Sequence, residues 1–162
     1  MEEKQKIIET IIPVAVLKAL TDAAERAVPQ TILIGGVVPI RRFPFRVGRE
    51  SRVKIIEGRV ERIERERPEA GSPTNDLYLV DDGHLLNISR EHFQIEREGE
   101  KFYLYDRGSA CGTMVEEQSV GGGDRKETIE LRDGDVLTIG TRKSPYVFQF
   151  LVLDNFEVRK KE

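Results

Sequence analysis

The chain has 162 residues and a formal net charge of −3 at pH 7, from 26 Lys and Arg against 29 Asp and Glu. This length suits one domain with an appendage and is sufficient to bury a hydrophobic core. The negative balance argues against bulk electrostatic attraction to nucleic acid or to an anionic membrane surface. The sequence therefore predicts neither a nucleic acid nor a membrane as partner.

Cys111 is the single cysteine, which excludes an internal disulfide framework and is typical of a reducing compartment. No Cys/His cluster has the spacing of metal ligands, so we expect neither a metal nor a cofactor. The apolar run over residues 7–20 is interrupted by Glu9, Pro13 and Lys18, and it is too short and too polar for a transmembrane helix. The acidic start is untypical of a signal peptide. These features predict a cytoplasmic protein.

Residues 3–28 carry apolar side chains at helical spacing, which predicts a helix. Pro13 must start, kink or split that helix. Residues 1–30 are therefore expected to form an N-terminal helical segment. This segment either packs on the remainder of the domain and covers apolar surface, or mediates self-association through its apolar stripe. The sequence does not decide between the two, and it predicts no oligomeric state.

From Thr31 onward, short β-branched and aromatic runs alternate with turn residues, which is typical of an all-β sandwich. We expect a β-domain over residues 31–153, followed by a charged tail over 154–162. The predicted strands are 31–38, 40–47, 76–81, 93–98, 101–105, 128–131, 136–139 and 146–153.

Two segments interrupt the strand pattern. The stretch from Ser51 to Thr74 has charges of alternating sign and few apolar residues, which indicates an inserted strand or short helix on the surface. Residues 121–124, Gly-Gly-Gly-Asp, predict a mobile loop.

Four short segments follow one another in a fixed order, each at a point where a strand gives way to a loop. They are FRVGRE at 45–50, ISREHF at 88–93, DRGSACGT at 106–113 and LRDGDVL at 131–137. Together they resemble the forkhead-associated (FHA) domain, whose pattern runs GR, SR-x-H, S-x-N-G-T and a D-G-D turn. The resemblance covers about residues 31–153. It implies an antiparallel β-sandwich that binds phosphothreonine peptides in signalling and catalyses no reaction.

The resemblance also assigns the phosphate-binding residues. Arg49, at the rim of a loop after a strand, would contact the phosphate, since the planar guanidinium matches its acceptor oxygens. Ser89 would hydrogen-bond the phosphate, and Arg90 would supply a second cationic contact. As alternatives, Arg49 is a surface arginine paired with an acid such as Glu50, and Ser89 is a turn residue bonded to its own backbone.

Other residues of the pattern are expected to support the binding loops. Gly48 allows the backbone to turn, and His92 is expected to bond backbone groups of the loops. Gly112 and Thr113 are expected to set loop conformation. Residues 133–135 form a turn before a strand, with no ligand role.

Cys111 is the one clear departure from the family pattern, because it occupies the position of the asparagine that grips the bound peptide's backbone. A thiol is a weak donor and a weak acceptor, so it does not replace an amide. Cys111 is still counted among the predicted peptide-binding residues. The substitution favours a rival interpretation, a degenerate FHA domain that binds an unmodified protein or acts as a scaffold.

Three other hypotheses rest on single features. A thiol enzyme would pair Cys111 with His92, but the sequence supplies no obvious third group to orient the histidine. Binding of nucleic acid would use the basic segment 41–54, which has few aromatic residues for base stacking. Phosphorylation of Thr10 would allow that residue to occupy the chain's own site, although its helical, apolar setting makes it a poor kinase target.

Overall fold

The structure, a computed structural model, describes residues 2–51, 53–56, 59–62, 74–157 and 159–162. Its helices are α1 (Glu2–Ile11) and α2 (Asp22–Ala27). The strands are β1 (Ala15–Ala19), β2 (Val37–Ile40), β3 (Phe45–Arg49), β4 (Val53–Ile56), β5 (Arg59–Arg62), β6 (Leu77–Leu79), β7 (Phe93–Glu98), β8 (Lys101–Asp106), β9 (Thr113–Val115), β10 (Gln118–Val120), β11 (Thr128–Leu131), β12 (Val136–Ile139) and β13 (Val147–Val152).

Two sheets form a β-sandwich. The six-stranded sheet has the order β10-β9-β12-β13-β1-β2, and the five-stranded sheet has the order β11-β8-β7-β3-β6. All neighbours are antiparallel except β3 and β6, which run parallel. The prediction of an all-β sandwich with an added N-terminal helix is confirmed.

The core lies between the two sheets because alternate residues of each strand face inward. Along β13, for example, Phe148, Phe150 and Val152 are buried while the residues between them are partly exposed. The Phe150 ring meets that of Phe102 on the other sheet edge-on, with centroids 5.3 Å apart. The core therefore fixes the distance between the sheets and the position of the loops that leave them.

The predicted helix over 3–28 is wrong in its middle. The helix α1 ends at Ile11, before Pro13, and residues 15–19 form β1. β1 pairs with β13 on one side and β2 on the other. A short apolar run buried on both faces fits helical and strand periodicity equally well. Pairing with β2 and β13 makes this run a strand. The boundary predicted at residue 30 thus does not separate the helical segment from the sandwich.

The predicted strand over 31–38 is also largely wrong, since only an isolated bridge between Ile34 and Val37 precedes β2. The predicted strand 40–47 is divided by residues 41–44, which include a cis Phe43–Pro44 bond. β9 and β10 were not predicted, because each has three residues and gives little periodicity.

The insertion contains a strand pair, as one of the two alternatives predicted, because β4 and β5 pair antiparallel. Its remainder over 63–73 lies outside the described residues. The glycine loop predicted to be mobile is instead packed: Gly121 and Gly122 are buried, and Gly123 N donates to Ala110 O. Within the described ranges, no helix is long and apolar enough to cross a membrane.

The binding motifs gather at one end of the sandwich, which we call the loop end. Residues 50–51 follow β3 there, residues 88–92 precede β7, and residues 107–112 connect β8 to β9. α1 lies at the opposite end, because it leads into Ala15, which pairs with Val152 at the far end of β13.

Candidate functional site

Arg49 is the last residue of β3, and its side chain is buried, with 8% of the residue exposed. Its Nε donates to Ile88 O at 2.8 Å and its Nη1 to Glu50 O at 3.3 Å. Its backbone N donates to Ser89 O at 2.9 Å. The expected position at a loop rim is therefore wrong, because these contacts hold Arg49 against the 88–92 loop. They also fix the direction of its guanidinium.

Gly48 allows the 88–92 loop to approach β3 closely. A Cβ atom at this position would lie 2.1 Å from Arg90 O and 2.5 Å from the side-chain nitrogen of Asn75. The space is occupied by the hydrogen bond from Asn75 Nδ2 to Arg90 O, at 2.7 Å. Glycine is needed here for close backbone approach, and not for a turn with a positive φ angle.

His92 is completely buried and connects two loops. Its Nδ1 accepts from Ser89 N at 2.9 Å, so the ring proton lies on Nε2, which donates to Gly112 O at 2.7 Å. Burial lowers the pKa of His92, opposed by the hydrogen bond to Gly112 and by the charge of Asp106. The neutral tautomer is therefore favoured. Both ring nitrogens are engaged with backbone, which argues against a general-base role.

Ser89 joins the 88–92 loop to the 107–112 loop through its side chain. Its Oγ accepts from Ala110 N at 2.9 Å, while its own backbone bonds to His92 and Arg49. Arg90 follows it and is partly exposed. Ser89 is therefore bonded to both neighbouring elements of the loop end, beyond the local turn bond considered from the sequence.

The 107–112 loop folds around Asp106, which the sequence analysis missed. Its carboxylate accepts from the backbone nitrogens of Gly108 and Ser109 and from Ser109 Oγ. Ser109 Oγ in turn accepts from Gly112 N at 3.0 Å. An aspartate followed by Gly and Ser at these spacings is a common turn pattern, and this was the signal available in the sequence.

Cys111, at the tip of this loop, is partly exposed and contacts a further loop. Its Sγ donates to Leu86 O at 3.5 Å. Gly112, with a φ of +72°, has a backbone conformation that favours glycine. Thr113 begins β9 inside the sandwich, and its buried Oγ1 has no hydrogen-bond partner among the described residues. Cys111 and Gly112 therefore lie at the loop end, whereas Thr113 lies inside the sandwich.

Asp81 organises the loop over residues 81–88 and was also missed. It is buried, and its carboxylate accepts from the backbone nitrogens of Gly83, Asn87 and Ile88 and from Tyr146 OH. Burial and the Asp81 hydrogen bond raise the pKa of Tyr146. The 81–88 loop thus has a fixed conformation next to Arg49 and Cys111.

The structure therefore brings Arg49, Ser89 and Cys111 together at the loop end, linked by bonds between neighbouring loops. A buried guanidinium and a serine hydroxyl are donors that an anionic group requires. This arrangement is suited to binding an anion.

Comparison with known proteins identifies similar folds and sequences. The family model described as the FHA domain matches residues 45–140. An FHA domain-containing protein of Arabidopsis thaliana is 29% identical over 86 residues, which are 53% of this chain and 20% of that protein. The chain thus spans about a fifth of the length of this curated relative.

Solved structures are similar in fold at low sequence identity. The yeast Pml1 splicing factor, in a structure describing its integration into the RES complex, has a TM-score of 0.52 at 19% identity. That match covers 93% of this chain and 89% of Pml1. The FHA domain of an Arabidopsis thaliana hypothetical protein has a TM-score of 0.50 at 20% identity, covering 93% and 92% of the two chains.

Proposed function

The chain belongs to the FHA domain family, and from that premise we propose that it binds phosphothreonine-containing proteins, with Arg49, Ser89 and Arg90 holding the phosphate. FHA domains are binding modules that capture phosphorylated motifs with arginine clusters, and they are not enzymes. We extend this binding function to the present chain and propose that the chain has no catalytic activity. We also propose that the chain acts in signalling in the cytoplasm. Neither nucleic acid nor a membrane is among its proposed partners.

One observation carries the proposal: the buried Arg49 is held in place by the loop that contains Ser89. Arg49 Nε bonds to Ile88 O, and Arg49 N bonds to Ser89 O. A guanidinium fixed in this way loses little conformational entropy when it binds a phosphate. Its low exposure also weakens solvent screening of the attraction to a dianion.

Ser89 and Arg90 would complete the phosphate contacts. Ser89 Oγ accepts from Ala110 N, which leaves its hydroxyl proton able to point at an acceptor oxygen. Arg90 is adjacent in the same loop and adds a second positive charge. His92 supports the site indirectly, because it bonds the backbone of both loops.

A second candidate function is binding of an unmodified protein by the same loops. Cys111 favours it, because the thiol donates to Leu86 O and offers a peptide backbone neither the donor nor the acceptor strength of an amide. Phosphate capture does not depend on this residue in the proposal, and therefore the two candidates differ in whether binding requires phosphate.

Titration of the full chain with a phosphothreonine peptide and with its unphosphorylated form tests the proposal. Only the phosphorylated form is expected to bind, and binding is expected to weaken with added salt and as pH falls through the second phosphate pKa of about 6. Equal affinity for both forms would establish the second candidate instead.

The contribution of Arg49 is best tested with Arg49→Lys, which keeps the charge but removes the planar fork. Loss of one partner of a close charge pair costs about 2–5 kcal/mol in binding, and Arg49→Lys should cost less than this because lysine keeps the charge. Arg46→Lys on the same strand is the matched control, because Arg46 pairs with Asp76 at the surface. Equal affinity of the two variants would show that the planar fork of Arg49 does not anchor the phosphate.

A further inference from the structure

Asn75 connects two of the binding loops, although it belongs to none of the four motif segments. It precedes β6 and is buried, with 3% of the residue exposed. Its Nδ2 donates to Arg90 O at 2.7 Å in the 88–92 loop. Its Oδ1 accepts from Arg107 Nη1 in the 107–112 loop. One buried carboxamide thus joins the two loops through its donor and its acceptor.

Arg107 determines which way this carboxamide points. A guanidinium has donors and no acceptor, so the amide oxygen of Asn75 must face Arg107 and its NH2 group must face Arg90 O. Arg107 is itself held in place, because its Nη2 donates to Thr74 O at 2.9 Å and lies 3.7 Å from Glu91 Oε1. The donor to the Arg90 carbonyl therefore has a fixed direction.

The Asn75 contact acts on Arg90 more directly than on the rest of the phosphate site. Ser89 N donates to His92 Nδ1, and Ser89 O accepts from Arg49 N, so these neighbours hold Ser89 without Asn75. In Arg90, the bond from Asn75 holds the carbonyl beside the Cα atom that carries the long side chain. A backbone fixed at this point reduces the conformational entropy that is lost when the guanidinium binds a phosphate.

We propose that Asn75 is a positioning residue for phosphate capture, which holds the backbone of Arg90 so that its guanidinium reaches the bound phosphate. This inference rests on the proposed function, since it adds a residue outside the motifs to the same site. The absence of a side chain at Gly48 makes the contact possible, because a Cβ atom there would lie 2.5 Å from Asn75 Nδ2. Asn75 acts through Arg90 and does not itself contact the phosphate.

Double-mutant cycles in the full chain test this role. Asn75→Ala is titrated with one phosphothreonine peptide in three backgrounds, which are wild type, Arg90→Ala and Ser89→Ala. Val152→Ala is the control for loss of stability alone, because Val152 is buried at the opposite end of the sandwich and its truncation leaves a cavity there. Urea unfolding of each variant identifies the conditions under which it is folded.

Asn75→Ala is expected to lower the affinity on the order of three- to tenfold in the wild-type background and less than about twofold where Arg90 is replaced by alanine. It should keep its full effect in the Ser89→Ala background. Val152→Ala should bind the peptide like wild type. A purely structural role of Asn75 would change the free energy of unfolding but would leave the affinity of the folded protein unchanged.

The salt dependence of binding is a second readout of the same contact. The affinity of Asn75→Ala should decrease less steeply with added salt than that of wild type, because the charge contact made by Arg90 is weakened. Where Asn75→Ala does not fold, Asn75→Ser gives the same cycles, since it leaves a smaller cavity and keeps a hydroxyl for the neighbouring polar groups.

The contrary outcomes separate this inference from the proposed function. No loss of affinity in the folded Asn75 variant, or an equal loss with and without the Arg90 side chain, would overturn the positioning role and leave the proposed function in place. A loss that disappears in the Ser89→Ala background would also overturn it, because Asn75 would then act through Ser89. Equal affinity for the phosphorylated peptide and its unphosphorylated form would overturn the proposed function itself, and this inference with it.

Discussion

Replacement of His92 by alanine should strongly destabilise the fold. The ring accepts from Ser89 N and donates to Gly112 O, and the residue is completely buried. The substitution leaves the part-buried N–H of Ser89 and the buried C=O of Gly112 without their partner, at about 1–3 kcal/mol each. Two such groups give about 2–6 kcal/mol, before any cost of the cavity.

This loss is large against the total stability of a domain, which is about 5–15 kcal/mol. Urea unfolding at pH 7.5 measures it directly, and His84→Ala is the matched control because His84 is exposed. The control should leave the free energy of unfolding within about 0.5 kcal/mol of wild type. A change below about 1 kcal/mol for His92→Ala would refute the structural role assigned to the ring.

The pH dependence provides an independent check. Because burial lowers the pKa of His92 in the folded state, the unfolded chain takes up a proton below about pH 6.5 that the folded chain does not. The free energy of unfolding should therefore be highest above that pH and decrease as pH falls, by up to about 1.4 kcal/mol per unit. A protonated Nδ1 would also face the Ser89 N–H, with two donors in contact.

His92→Ala should remove this slope between pH 7.5 and 5, and His84→Ala should retain it. For Asp76, partial burial raises the pKa, but the hydrogen bonds from Arg46 outweigh this effect and lower the pKa. The contribution of Asp76 to the free energy of unfolding is therefore lost only below about pH 3.9. That window is separate from that of His92. An unchanged slope in His92→Ala would show that another group causes the pH dependence.

Three further predictions concern the fold and the loops. Gly48→Ala should destabilise the domain by about 1–3 kcal/mol or more, because its Cβ would lie 2.1 Å from Arg90 O; chemical denaturation measures this, and wild-type stability would disprove the close approach. Deleting residues 1–11 should leave a folded domain, whereas deleting 1–28 removes β1 from within a sheet and should cause unfolding or aggregation. Circular dichroism and light scattering of the two truncations measure folding and aggregation. Equal behaviour of the two would contradict the placement of β1. Cys111→Asn should raise phosphopeptide affinity several-fold, since a net hydrogen bond contributes about 0.5–1.5 kcal/mol; no gain in a titration would indicate a different loop geometry.

The strands that could be predicted from the sequence are those with clear alternation between turn residues. β7 and β8, joined at Gly99, and β13 have this pattern and were placed within about two residues. β1 could not be predicted, because Ala15–Leu17 is buried throughout and its neighbours come from distant parts of the chain. Local periodicity contains no information on such pairing.

The site could be predicted in its motif residues but not in its environment. Arg49 was identified, yet its burial depends on the carbonyl of Ile88, 39 positions away. Asp81 was missed because its burial depends on packing against distant residues such as Tyr146, whose hydroxyl donates to it from 65 positions away. Neither contact produces a spacing pattern in the sequence. The motifs therefore identify the donor residues, but the contacts that position these residues are visible only in the structure.

The placement of β1 between β2 and β13 has a consequence for folding. Ala15 pairs with Val152, so this sheet joins residues separated by most of the sequence. Non-local pairing of this kind raises contact order and slows folding, because loop-closure entropy is lost before the contacts form. During synthesis, β1 and β2 emerge before β13 and can pair with each other first. The other edge of β1 stays unpaired until β13 has been synthesised. The six-stranded sheet is therefore the one that closes last, and the nascent chain exposes an apolar strand edge that is prone to aggregation until then.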